Sequence, residues 1–267
     1  MNPFQKTLPV VFVLFILAAC HKNNGILPLA DGTSMGYITQ AMQITNGDTQ
    51  IYRLVYNPNN TIDSVIEEYN CVGGNCKTFE ITYFSYSGSY INIFWSTQDY
   101  STTGSNSAPF LAYRVHLIIN GMCDTFYSCQ QNASSGYSFN FIKYNGTQID
   151  TFFYLSDYRN RWSVSSAYTF TYNSNGDISK NTDQRSVYNF NYDTTHTTQI
   201  GDPVMFNQLI VYGIVYTRCA HLTTSANNNA ITYTYTFDSK GRIATANETD
   251  NNPSDTTTTE YIYQYKD

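Results

Sequence analysis

Tyr168-Thr-Phe170-Thr-Tyr172-Asn173-Ser-Asn-Gly176-Asp-Ile178 returns as Tyr233-Thr-Tyr235-Thr-Phe237-Asp238-Ser-Lys-Gly241-Arg-Ile243, every element 65 residues further on (168 to 233). A looser copy, Tyr52-Arg-Leu54-Val-Tyr56-Asn57-Pro-Asn-Asn60-Thr-Ile62, carries Asn60 where the others have glycine. Side chains alternate faces along a strand, so Tyr168, Phe170 and Tyr172 share one face and Thr169 and Thr171 the other. One face is aromatic and the other is suited to water. Asn or Asp then opens a turn by bonding its own backbone, Gly176 or Gly241 supplies a left-handed residue, and Ile178 or Ile243 begins the return strand. Asn tolerates that conformation better than other non-glycine residues, which keeps Asn60 compatible with the unit.

Half copies at Tyr188-Asn-Phe190-Asn-Tyr192-Asp193 and Tyr261-Ile-Tyr263-Gln-Tyr265 extend the pattern to the end of the chain. With 25 Tyr, 16 Phe and only 13% charged residues, the composition favours strands throughout. Repeated hairpins predict an all-β fold: a single antiparallel meander of about ten to fourteen strands that must curl, split or close. The expected form is a curled sheet or barrel-like shell, with rings on the concave side and Thr, Ser and Asn facing water; a two-layer β-sandwich is the alternative. Near residues 204–212, Met205, Leu209 and Tyr212 fall at helical spacing and predict one short helix that caps or plugs the sheet. Residues 250–258, with Pro253 among Asp, Asn, Ser and Thr, read as a hairpin tip.

The N-terminus has a different grammar. Lys6 precedes the apolar run Val10–Leu17, and Ala18-Ala19-Cys20 follows. That run is too short to span a bilayer, which takes about 20 apolar residues, and it has the layout of a secretory signal. Residues 1–19 are therefore expected to be a signal peptide and residues 20–36, with three Gly and a Pro, a tether. Residues 37–267 form one β domain. An exported chain meets an oxidising compartment, so Cys71 with Cys76 and Cys123 with Cys129 are candidate disulfides across short loops, leaving Cys219 over.

The Leu-Ala-Ala-Cys20 ending resembles the lipobox of bacterial lipoproteins, which implies acylation at Cys20 as the first residue of the processed chain. The hairpin unit resembles the tyrosine-and-aspartate (YD, RHS-like) repeat. Together with the lipobox and tether, the chain resembles uncharacterised Bacteroidetes lipoproteins built from such hairpins. The resemblance implies a lipid-anchored protein of the outer membrane, on its periplasmic face or at the cell surface. The absence of Asp directly after the cysteine favours that membrane by the same resemblance. It brings no active site with it.

Chemistry is sparse. The four histidines, His21, His116, His196 and His221, sit in no catalytic motif, and there is no Gly-x-Ser-x-Gly, His-Glu-x-x-His or phosphate-binding loop. Cys219 and His221 share a face of a strand and would suit a metal or a Cys–His pair, but no third ligand is visible. Glu67 and Glu68 are adjacent and point to opposite faces, which does not make a glycosidase pair. The x4 and x5 cysteine spacings are not zinc knuckles, and the Asp250–Asp255 loop lacks a calcium pattern. No catalytic residue, cofactor or metal is therefore expected. A net charge of −6 without clustered Lys or Arg excludes nucleic acid as a partner. The expected partners are the membrane through the N-terminal lipid, and an envelope glycan or another envelope protein. Trp95 and Trp162 are the candidate glycan contacts, because rings stack on sugar faces.

Overall fold

The computed structural model describes residues 37–69, 78–99, 108–117, 122–128, 138–146, 148–157, 162–183, 186–213, 219–252 and 256–266. The expected signal peptide (1–19) and tether (20–36), and Cys71, Cys76 and Cys129, lie outside them. Strands follow in the order β1 (Tyr37–Thr45), β2 (Asp48–Tyr56), β3 (Ile62–Tyr69), β4 (Thr78–Ser87), β5 (Tyr90–Asp99), β6 (Phe110–Leu117), β7 (Cys123–Ser128), β8 (Ser138–Asn145) and β9 (Gln148–Asp157). They continue as β10 (Trp162–Tyr172), β11 (Ile178–Thr182), β12 (Val187–Asn189), β13 (Asn191–Thr197), β14 (His221–Ala226), β15 (Ile231–Phe237), β16 (Ile243–Asp250) and β17 (Thr257–Lys266). One helix, α1 (Pro203–Tyr212), lies between β13 and β14.

Each strand but β12 pairs antiparallel with the next, and β17 returns to pair with β1, Ala41 facing Tyr263. The meander of 17 strands is thus a nearly closed barrel and not a two-layer sandwich. β12 and β13 are one strand broken at Phe190, its first part paired with β11 and its second with β14. Alternation sets the faces as the repeat implies: Tyr52, Leu54 and Tyr263 are buried inside, while Thr169, Thr234 and Thr236 are exposed outside.

The repeated turns share one geometry. The Asn173 N–H bonds the Asp177 carbonyl at 2.9 Å and the Gly176 N–H bonds the Asn173 carbonyl at 3.2 Å. Asp238 with Arg242 and Gly241, and Asn57 with Thr61 and Asn60, repeat both bonds. Gly176, Gly241 and Asn60 have φ of 90°, 77° and 66°, the left-handed region the sequence required of them. In all three units the register shifts one step before the turn, at Thr171/Tyr172, Thr236/Phe237 and Val55/Tyr56.

A tyrosine device recurs at the same end of the barrel. The hydroxyls of Tyr56, Tyr144 and Tyr265 donate to the carbonyls of Ile38, Cys123 and Ile243 at 2.8, 2.6 and 2.8 Å, and that of Tyr172 accepts from the Ile149 N–H at 2.9 Å. Each bond joins the last turn of a descending strand to the opening residues of the ascending strand beside it. A buried phenol needs a partner, and the bulge-weakened ladder there supplies one.

A barrel of this many strands encloses more space than its own inward side chains fill, and porins of similar strand number keep an aqueous bore. Here α1 enters from the short-turn end. Asp202 caps it, Oδ1 accepting the Val204 N–H at 3.0 Å, Pro203 begins it, and Gly213 ends it in the left-handed conformation with φ 70°. A Cβ at Gly213 would stand 2.6 Å from Phe84 Cδ1, so that position requires glycine for space as well as for φ. Phe206, fully buried, meets the rings of Tyr52, Tyr261 and Tyr263 edge-on at 5.7, 6.4 and 5.3 Å. Tyr212 meets Tyr113 and Phe126 at 6.4 and 4.6 Å. The helix therefore crosses the lumen from the β17/β2 wall to the β6/β7 wall. Its buried residues are Pro203, Phe206, Gln208, Leu209 and Ile210, a face rotated by one position from the Met205, Leu209, Tyr212 stripe expected.

One cysteine expectation is corrected. Cys123 is a free, fully buried thiol at the start of β7. The strand runs extended from there to Ser128, which at the usual rise separates its ends by about 17 Å. A disulfide to the residue just beyond would need the Cα atoms within about 7 Å.

Candidate functional site

Short turns at 57–61, 88–89, 146–147, 173–177 and 238–242 close one end of the barrel, together with the α1 segment. The strand ends Tyr69 and Thr78, Asp99 and Phe110, and Ser128 and Ser138 lie at the other end, and both described termini, Tyr37 and Lys266, lie at the short-turn end. Above α1, towards the loop end, the inner walls differ in chemistry.

One wall is polar. Tyr52 faces Glu67 across β2 and β3, and Glu67 faces Glu80 across β3 and β4. The Gln50 amide donates to Glu67, and the Tyr52 hydroxyl donates to Gln43 at 3.1 Å. Burial, then the neighbouring Glu80 charge, raises the Glu67 carboxyl above its ordinary value against the opposing bond from Gln50. Further round, Tyr233 faces Glu248, whose carboxyl is raised by burial and then by the charges of Asp250 and Asp202. The opposite wall is aromatic. Trp95 lies edge-on to Tyr113 at 5.2 Å and to Phe110 at 6.4 Å, and Tyr154 edge-on to Tyr168 at 5.8 Å. Phe110 and Tyr154 remain exposed. Asn207 and Val211, one turn apart, are the exposed positions of α1. Rings that can stack thus share a lumen with carboxylates and amides that accept and donate hydrogen bonds.

Trp95, one of the two candidate glycan contacts, is half-buried on the inner wall, packed against the core. The side chain of Trp162 lies outside the described residues. Sequence reasoning separated Glu67 from Glu68 correctly, since Glu68 takes the Arg53 guanidinium on the outer face at 2.6 Å. It missed the Glu67–Glu80 pair, whose members meet only through the β3–β4 register.

The Cys219–His221 pair is structural. Cys219 Sγ lies 3.3 Å from the Tyr192 hydroxyl, and burial raises its thiol, the opposite of an activated nucleophile. His221 is engaged by Asp177, which is fully buried: its Oδ1 accepts the His221 backbone N–H at 2.9 Å and its Oδ2 lies 2.8 Å from Nδ1. The other two described histidines also have carboxylate partners, His116 with Asp124 at 2.7 Å and His196 with Asp193 at 2.6 Å. Among the described residues, no three or more His, Cys, Asp and Glu gather to hold a metal.

No protein-family model and no curated protein matches the chain. Solved structures do. A porin-like protein from Bacteroides uniformis aligns with a TM-score of 0.55 at 13% identity, over 86% of this chain and 98% of that one. A porin-like protein from Bacteroides vulgatus aligns with a TM-score of 0.47 at 15% identity, over 86% of this chain and 99% of that one. At such identity the likeness to the first is one of fold: the chain shares the large antiparallel barrel of a porin-like Bacteroides protein.

Proposed function

We propose that this chain is a lipid-anchored cell-envelope protein, acylated at Cys20, that serves as a non-enzymatic scaffold or binding module and not as a channel. The observation that carries this reading is the occupied lumen: α1 crosses the bore with Phe206 and Leu209 fully buried in the core cluster. The lipobox and the porin-like fold of the B. uniformis protein support an envelope setting. No helix among the described residues is long and apolar enough to cross a membrane, which says nothing of strands. The strands speak for themselves on one side: the outer faces of β11, β15 and β16 carry Lys180, Thr182, Thr234, Thr236 and Asn247, where a spanning barrel needs apolar side chains all round. Fatty-acid labelling is expected in the wild type and absent in Cys20→Ala, and planar bilayers exposed to the protein are expected to stay silent. Steady ohmic conductance would overturn the reading.

The facing aromatic and carboxylate walls favour a second reading, a glycan-binding lumen. Affinity electrophoresis on envelope polysaccharides is expected to show retardation whose Kd rises by up to about tenfold with Trp95→Ala, given a stacking contact of about 0.5–1.5 kcal/mol. Retardation unchanged in Trp95→Ala would remove the lumen as the site.

A further inference from the structure

The outer surface has two sides of opposite character. From β2 to β10 apolar side chains recur across the exterior, with the buried Ser64 between Val55 and Tyr83. Val55 faces Ser64, Ser64 faces Tyr83, Tyr83 faces Phe94 and Phe94 faces Leu111. Further round, Phe141 faces Phe153, with ring centroids 6.2 Å apart, and Leu155 faces Val164. Val55, Tyr83, Tyr127, Phe141 and Val164 are between 36% and 53% exposed. An aromatic-rich apolar surface of this extent on one side of a protein marks a contact. From β11 to β16 the exterior is chiefly the Thr, Asn and Lys surface of the repeats, with Val187 its exposed apolar residue.

We infer that the β2–β10 wall docks side-on against the lipid bilayer, in addition to the N-terminal anchor. This inference rests on the acylation of Cys20 for its setting. The occupant is argued from the tether. Seventeen residues, 20–36, join the anchor to Tyr37 in β1, next to the wall, and fully extended they span at most about 60 Å. A strand of ten residues rises about 33 Å. The tether therefore reaches along the whole barrel, and it holds the wall at high effective concentration next to lipid. The charges agree. Arg53 is taken by Glu68, Lys143 by Asp150 at 3.0 Å, and Arg114 lies over the Tyr90 ring and donates to Asn92. Among the described residues the wall's Arg and Lys side chains are thus each engaged within the protein, and the wall offers rings of the kind that settle at the headgroup level. Half a belt cannot be encircled by lipid, so the contact is lateral and the lumen mouth opens along the membrane surface.

The test uses the processed chain, residues 20–267, carrying Cys20→Ala, with vesicles of phosphatidylethanolamine and phosphatidylcholine. It is expected to float with the vesicles, independently of added salt. Tyr127→Ser/Phe141→Ser/Val164→Ser is expected to lower the bound fraction at least about tenfold, and Val164→Ser or Tyr127→Ser alone about threefold if the triple variant folds poorly. Thr234→Glu/Thr236→Glu on the polar wall should leave flotation unchanged. A chain that stays with the dense fraction overturns the inference. So does sedimentation as a dimer that the triple variant splits, since the wall is then an interface between copies. Fatty-acid labelling of the wild type is scored separately: flotation without labelling refutes the anchor alone, and labelling without flotation refutes the wall alone.

Discussion

Phe206→Ala is expected to destabilise the fold by about 3–5 kcal/mol, as for a fully buried aromatic whose cavity cannot collapse. The walls of that cavity are strands of a closed ladder and cannot move inward to fill it. Tyr52 on β2 and Tyr261 and Tyr263 on β17 all lose the ring they pack against. For a chain of this size the loss corresponds to roughly 10 °C in Tm. Urea unfolding of the wild type and the variant measures it directly. A cost under about 1 kcal/mol would mean that α1 does not sit in the lumen, and the argument against a channel would fall with it. Val211→Ala, at an exposed position on the same helix, should cost under about 1 kcal/mol, which separates loss of packing from loss of helix.

The hairpin was legible because its signals agree locally: alternating rings, an Asn or Asp to open the turn, a residue able to be left-handed, and an Ile to resume. Closure was not, because pairing of Tyr263 with Ala41 joins residues more than two hundred positions apart and leaves no local trace. The helix was legible from spacing and the plug from the need to fill a shell, but the burial of Phe206 over Met205 depends on which wall it meets. The outer apolar wall was hidden for a different reason. In the repeat units only one face is aromatic, so inside and outside are unambiguous; in β4 and β9 both faces are, Phe84 and Phe152 buried within and Tyr83 and Phe153 outside. Alternation gives a period and cannot give its sign. Within the polar site, Trp95 was visible as a residue, while Glu67 beside Glu80 was a matter of register alone.

One departure within the repeat has a physical account. After the turn glycine, one copy has Arg242 and the other Asp177. Arg242 turns back on its own hairpin, Nε donating to Asp238 Oδ2 at 2.7 Å, and stacks over Tyr265. Asp177 instead faces the incoming β14 and holds His221. The Gln199 side chain does the complementary work at the other copy, accepting the Ile243 N–H at 2.9 Å and donating to the Gly241 carbonyl at 3.0 Å. The segment carrying α1 is thus fastened at both ends to the two best-conforming repeat turns.

Asp177→Ala is expected to cost about 2–4 kcal/mol at neutral pH, because it strips the His221 backbone N–H and ring of their acceptor at a buried position. Its pH dependence identifies the cause. Burial pulls the Asp177 carboxyl upward, but the bonds from the His221 ring and backbone and from Asn173 outweigh it, and the group ends below its ordinary value. A carboxylate with a depressed folded pKa stabilises above the unfolded value, near pH 4, and loses that contribution as pH falls through the folded one, since the unfolded chain there binds more protons. The gap between wild type and Asp177→Ala should therefore be full at pH 6 and shrink steadily below about pH 4. Asp202 runs the other way: burial raises its carboxyl despite the bonds from Thr223 and Val204, so the folded chain binds the proton more readily and its contribution declines as pH rises. A constant gap in urea unfolding between pH 6 and pH 3 would show that Asp177 acts as a neutral spacer and not as the ionised clasp of the plug. A gap that closes with acid while that of Phe206→Ala stays fixed would assign the fastening of α1 to this carboxylate and its filling to the ring.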